Sequence, residues 1–251
     1  MVRAWIHGTC PMSPVATPSA SAADRNFFRT AVVILALLAL AGFAPSYYLR
    51  PLFHSEVELT VLKHLHGAAF TSWTLLLVTQ AFLISNGKLH WHRRLGYASM
   101  AVVVAMMTLT VALALERTQA WLDDPQFDAG DVLQFLLTPL ATVVYFTGMY
   151  IAALCYRHRP AIHKRLLLIA NLDLFTPAVS RLPWIGTTAS LWHAAVIDIL
   201  LLALVVHDWR TLKRVHPATW IGGILLIFCQ IGREVLARTD AWMDIAARLV
   251  E

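Results

Sequence analysis

Long apolar runs separated by short polar and basic segments dominate the 251-residue chain. A helix that crosses a bilayer needs about 20 consecutive, mostly apolar residues. Seven segments meet this requirement, at about 28–48, 64–85, 95–115, 132–154, 165–183, 188–206 and 218–236. The pattern therefore predicts an all-α polytopic membrane bundle of about seven transmembrane helices over residues 26–238.

The two ends of the chain lack such long runs. Residues 1–25 are rich in Pro, Ser and Ala and show no helical periodicity, which predicts a flexible tail. Residues 239–251 form a second short tail, in which Trp242, Ile245 and Leu249 recur at helical spacing. This segment either lies along the membrane interface as an amphipathic helix or stays a frayed tail.

Lysine and arginine are distributed unequally between the loops. They concentrate in the amino-terminal tail and in three corners, at 88–94, 157–165 and 210–214. The remaining loops carry fewer of them, diluted by Asp and Glu. Because cytoplasmic loops are enriched in Lys and Arg, we expect the amino terminus and its tail inside the cell and the carboxyl-terminal tail outside.

The composition agrees with this architecture and narrows the class of protein. Hydrophobic residues make up 58% of the chain and charged residues 14%, against about 25% charged in a soluble domain. These values exclude a soluble globular enzyme, a disordered chain and a disulfide scaffold. The net charge of +5 is explained by basic inner loops, and no basic stripe interleaved with aromatic residues indicates a nucleic-acid partner. The expected partner is the lipid bilayer.

Two aspartates near the middle of predicted helices form the first candidate site. Asp173 and Asp198 each lie about ten residues into neighbouring apolar segments. Polar groups inside a bilayer are costly, so each one is a candidate functional residue. The two side chains either share a proton and border a polar cavity, or are protonated and bonded to a backbone carbonyl or to Asn171. His193 is a candidate relay for the same proton.

Histidines at helix ends form the second candidate site. The second segment carries His66, and the sixth carries His193 and His207, which are fourteen residues apart. Fourteen residues rise about 21 Å and return to nearly the same helix face, as two stacked haems require. The spacing predicts a haem b whose iron is held between His66 and His193 on the outer side.

An inner haem would use the histidines of the basic corners. His92 and His163 are the candidate ligands or propionate partners, and Arg93 and Arg94 would neutralise the propionates. The alternative is that these histidines only anchor helix ends at the membrane interface.

Several short motifs are spread from about residue 60 to the carboxyl terminus. They are His66-Gly67, Trp73, Gln80, His92-Arg93-Arg94-Leu95-Gly96, His163-Lys164-Arg165-Leu166, Arg181-Leu182-Pro183 and His216-Pro217-Ala218-Thr219. Together they resemble a family of functionally unassigned bacterial polytopic membrane proteins. The resemblance implies a bacterial inner-membrane location and no particular activity. A looser similarity, in the histidines at helix starts and the His-Arg-x-x-Gly corner, is to small haem-binding membrane bundles.

Three functions remain open at this point. The first is haem b binding, with electron transfer to or from quinone or a partner protein. The second is a proton-coupled transporter or channel that uses Asp173 and Asp198. The third is a non-catalytic assembly partner in a larger membrane complex. The absence of a lysine in the seventh segment excludes a retinal Schiff base, and no Gly-rich phosphate loop is present.

Overall fold

The computed structural model describes residues 22–54, 58–182 and 190–250. Within these ranges every regular element is helical. The helices are α1 (Ala22–Phe43), continued by a π-helical turn (Ala44–Tyr48), α2 (Arg50–Phe53), α3 (Val61–Ser85), α4 (Leu89–Leu122), α5 (Ala129–Cys155), α6 (Pro160–Val179), α7 (Ser190–Ile197), α8 (Ile199–Leu212), α9 (Pro217–Leu236) and α10 (Asp240–Val250).

Six helical segments of the described chain are long and apolar enough to cross a membrane. They are Ala22–Tyr48, Val61–Ser85, Leu89–Leu122, Ala129–Cys155, Leu191–Leu212 and Pro217–Leu236. The protein is therefore an all-α, multi-pass membrane bundle, which confirms the fold class predicted from the apolar runs. The remaining predicted span, 165–183, corresponds to α6, which is not among these six and carries three charged residues, Lys164, Arg165 and Asp173.

Helix α6 is the central helix of the bundle. It packs against α1, α5, α7, α8 and α9, and every residue from Leu168 to Phe175 is buried. A helix enclosed on all sides has no solvent or lipid face, so its polar residues must be satisfied by its neighbours. Its contact with α1 is direct at Gly42, where a Cβ atom would lie only 2.1 Å from the carbonyl oxygen of Ala178.

Hydrogen bonds between helix ends show the direction of the central helices. Arg165, near the start of α6, pairs with Asp208 near the end of α8. Asp208 in turn accepts from Thr219 at the start of α9. Helices α6 and α9 therefore run in the same direction, and α8 runs in the opposite direction. The end of the bundle where these residues lie is called the basic end below.

Helices extend into both predicted tails. Residues 22–25 were predicted as part of a flexible tail, but they are helical and belong to α1, because Asp24 bonds to Lys164 of α6. Residues 1–21 lie outside the described residues. At the other end, α10 is helical and docks on α4 and α5, where Trp242 Nε1 donates to the carbonyl of Leu133 at 2.9 Å.

Candidate functional site

A buried aspartate on the central helix is held by two neighbouring helices. Asp173 is only 2% exposed. The hydroxyl of Thr142, on α5, donates to its Oδ2 at 2.8 Å. The guanidinium of Arg233, on α9, donates from Nη1 to its Oδ1 at 2.9 Å. Asp173 is therefore held by a charge-assisted bond and a hydroxyl, out of contact with water.

A second carboxylate lies beside this pair, at the interruption between α7 and α8. The side chain of Asp198 accepts a hydrogen bond from Gln230 Nε2 at 3.2 Å. Gln230 precedes Arg233 by three residues on α9, so their side chains are neighbours on one helix face. Asp198 also interacts electrostatically with both Asp173 and Arg233. One turn of α9 thus supplies donors to both aspartates.

The helices that meet at this cluster are irregular there. Pro177 stands four residues after Asp173 on α6 and has no N–H, so the backbone carbonyl of Asp173 cannot make its usual helical bond. Pro139 lies inside α5, three residues before Thr142. The interruption at Asp198 is the third irregularity. Proline and helix breaks are where buried helices bend and expose backbone polar atoms.

Two polar atoms of the cluster are buried without a hydrogen-bond partner. They are the hydroxyl oxygen of Tyr145 and Nε of Arg233. Each side chain is only 7% exposed. Tyr145 follows Thr142 by three residues on α5 and interacts electrostatically with both aspartates. Unsatisfied buried donors are rare and costly, so these two atoms mark a polar site rather than ordinary packing.

The structure brings the two aspartates of the first candidate site into one cluster. Neither uses Asn171, the amide considered as a partner, because Asn171 accepts from Trp73 Nε1 of α3 at 2.8 Å. Sequence reasoning missed Arg233 as their shared partner. The sequence feature that could have identified this pair is an arginine inside an apolar segment, because such a residue needs an opposite charge and Asp173 lies in another apolar segment.

A separate ion-pair network closes the basic end. Arg165 is 2% exposed and Asp208 is fully buried. The guanidinium donates from Nε to both carboxylate oxygens, at 3.0 and 3.2 Å, and also from Nη2. Asp208 further accepts from the backbone N–H of His216 at 3.1 Å and from the hydroxyl of Thr219 at 2.6 Å. This carboxylate is fully satisfied, as a structural ion pair requires.

Helix α1 joins the same network through Asp24. Its carboxylate pairs with Lys164 of α6 and lies 3.2 Å from Nε2 of His207 on α8. The ring of Phe27 stacks on His207, with centroids 4.1 Å apart. His207, the predicted inner residue of the sixth segment, is therefore engaged with α1.

The predicted outer haem ligands lie on α3 and α7. The ring of His66 is tilted by 33° against that of Phe70, with centroids 4.5 Å apart. His193 is buried on α7, which packs against α6, α8 and α9. Ligation of a haem by this pair stays a prediction.

The predicted inner histidines do lie together. The rings of His92 and His163 meet edge to face, with centroids 6.4 Å apart. His163 Nδ1 bonds to the carbonyl of Ala153 at 2.7 Å. Arg93 and Arg94, the predicted propionate partners, are both exposed. Among the described residues no group of three or more His, Cys, Asp or Glu is arranged to hold a metal ion.

Haem binding stays a prediction with a direct test. An ultraviolet–visible spectrum of protein purified from a haem-replete host would show a Soret band if haem is bound.

Comparison with known proteins adds no further constraint. No protein-family model, curated protein or solved structure matches the chain.

Proposed function

We propose that this protein is a transporter or channel that carries protons across the membrane, with Asp173 and Asp198 binding the proton. The observation that carries the proposal is the cluster of a buried and a half-buried carboxylate around one arginine, inside a bundle of apolar helices. Ionisable groups at such positions are expensive and are characteristic of proton relays and transport sites.

The irregular helices around the cluster support the same function. In many transporters the substrate and coupling-ion sites lie where membrane helices are interrupted. Here Pro177 follows Asp173 by four residues on α6, Pro139 precedes Thr142 by three residues on α5, and Asp198 lies at the junction of α7 and α8, where its backbone angles remain helical. A helix with a missing backbone bond bends at low cost, which is the property that opening and closing of a site requires.

His193 is the proposed relay for this proton. It is buried on α7 in the same membrane span as Asp198, five residues away and about 140° round the helix from it. Histidine exchanges protons near neutral pH, whereas its neighbours on α7 are apolar or hydroxyl side chains. The basic corners and the resemblance to bacterial polytopic proteins support an inner-membrane location with the basic end in the cytoplasm. A quinone or protein electron partner is required only by the haem hypothesis.

The test is proton flux in proteoliposomes. Purified protein is reconstituted with a pH-sensitive dye inside the vesicles, and a proton gradient is imposed while valinomycin and K⁺ clamp the membrane potential. We expect wild-type protein to dissipate the gradient well above empty vesicles and Asp198→Asn to reduce the rate to the empty-vesicle level.

The matched control is Asp244→Asn, the same substitution at an exposed position of α10. Its flux should equal that of wild type. Equal flux in wild type and Asp198→Asn, with both correctly folded by size-exclusion chromatography, would reject the proposal.

A further inference from the structure

Arg233 is the only cation bonded to the aspartate cluster among the described residues, and it serves two carboxylates. Its Nη1 bonds to Asp173, and it interacts electrostatically with Asp198. The polar groups found around the cluster are Thr142, Tyr145, Cys229 and Gln230, which are neutral. His193, the proposed relay, lies about 140° round the helix from Asp198. With both aspartates ionised, Arg233 balances one of the two charges, so the cluster of buried Asp173 and half-buried Asp198 would carry one uncompensated negative charge.

An uncompensated charge in a buried site is strongly disfavoured. One bound proton removes it, because one carboxylate then pairs with the guanidinium and the other is neutral. Two interacting carboxylates titrate as a unit, so the proton belongs to the pair rather than to either residue. The geometry assigns the charged state to Asp173, which has the short bond to Arg233, and the proton to Asp198, whose bonded partner is a neutral amide.

The guanidinium of Arg233 has hydrogen-bond donors that are not used in its bond to Asp173. Arginine has five N–H donors. Both hydrogen bonds found for Arg233 use Nη1, and its Nε is buried without a partner. Gln230, which bonds Asp198, is the neighbour of Arg233 on the same face of α9. The guanidinium therefore lies on the same face of α9 as the residue that bonds Asp198, with donors left over for a second carboxylate.

We propose that Asp173 and Asp198 share one proton and that Arg233 changes partner, pairing with whichever carboxylate is ionised. This inference rests on the proton-carrying role proposed above. In the transfer, the O–H bond of Asp198 breaks and an O–H bond forms on Asp173, while the guanidinium keeps its own protons and moves to Asp198. The net charge of the cluster is zero before and after. The unpartnered hydroxyl of Tyr145 is the group available to pass the proton.

Infrared spectroscopy distinguishes the two protonation states without reference to transport. A protonated carboxyl group has a carbonyl stretch that an ionised carboxylate lacks. In membranes at neutral pH we expect wild type to show one such band from the cluster. Asp198→Asn removes the band because the protonated group is gone. Asp173→Asn also removes it, because Arg233 then pairs with Asp198 and holds it ionised.

Removing the cation should increase the number of protonated carboxyl groups, whereas removing either aspartate decreases it. In Arg233→Gln no guanidinium remains, so both carboxylates bind protons and the band should double. Where this variant fails to fold, Arg233→Lys keeps the charge and should keep a single band. Asp244→Asn is the control and leaves the band unchanged.

A band that persists in Asp173→Asn would overturn partner exchange, since Asp198 would then hold its proton regardless of Arg233. Loss of the band in both aspartate variants, combined with absence of flux, would retain the exchange and reject transport. Flux that depends on Asp198, together with a band that persists in Asp173→Asn, would retain transport and reject the exchange of partners.

Discussion

The ion pair between Arg165 and Asp208 offers a quantitative test of how the basic end is stabilised. Both side chains are buried, and the carboxylate accepts bonds from the guanidinium, the His216 N–H and the Thr219 hydroxyl. Removing one partner of a buried pair leaves an uncompensated charge and costs about 3–5 kcal/mol. Asp208→Asn preserves an acceptor for the other two donors, so we expect the lower end of that range, about 3 kcal/mol.

The single variant Arg165→Met should cost a similar amount, because it leaves Asp208 charged without a counter-ion. The double variant removes both charges, and replacing a complete buried pair is often nearly neutral. We therefore expect the double variant to lose less than either single variant, where the two single losses add to about 6 kcal/mol, so that the coupling energy is at least about 3 kcal/mol.

Equilibrium unfolding of the purified protein in mixed detergent micelles, followed by far-ultraviolet circular dichroism, measures each free energy. Asp244→Asn serves as a control for loss of an exposed aspartate and should change the unfolding free energy little. Additivity of the two single variants within about 0.5 kcal/mol would refute the reasoning, because it would show that the charges do not depend on one another.

Three further predictions concern packing, pH and a buried hydrogen bond. Gly42→Ala should destabilise the bundle, because the added Cβ would overlap a carbonyl oxygen of α6. The control is Gly232→Ala, which has open space around it and should be neutral or stabilising by up to about 1 kcal/mol. Equal thermal midpoints for the two variants would contradict the close packing at Gly42. Burial, with a neighbouring arginine adding to it, lowers the pKa of His216, so its protonation favours the unfolded chain. Stability should therefore fall as pH drops below about 6.5, and His216→Asn, a cap that does not titrate, should weaken that dependence in pH-resolved unfolding. Trp73→Phe leaves the Asn171 side chain without its donor and should cost about 1–3 kcal/mol; an unchanged unfolding free energy would show that water replaces the bond.

The helices could be predicted from the sequence because bilayer thickness imposes their length. Runs such as 218–236 coincide almost residue for residue with Pro217–Leu236. The start of α6 could not be placed in the same way. Lys164 and Arg165 look like a polar corner in the sequence, but they lie within the helix because Asp24 and Asp208 neutralise them. Those partners are far away along the chain.

The candidate site was predictable only in part for a similar reason. The cost of a buried carboxylate singles out Asp173 and Asp198 without any structure. Their shared arginine depends on which helices are adjacent, and hydrophobic periodicity carries no information about lateral order. The spacing of His66 and His193 is subject to the same limit, because equal depth on two helices does not by itself determine whether the helices are adjacent, and their ligation of a haem stays a prediction.

The measurement that bears most directly on the proton-carrying role is dye-reported proton flux through Asp198→Asn, Asp244→Asn and wild-type protein in the same vesicles. The cluster around Arg233 predicts loss of flux in the first variant and wild-type flux in the second. Wild-type flux in Asp198→Asn, or no flux above empty vesicles in the wild type, would contradict it.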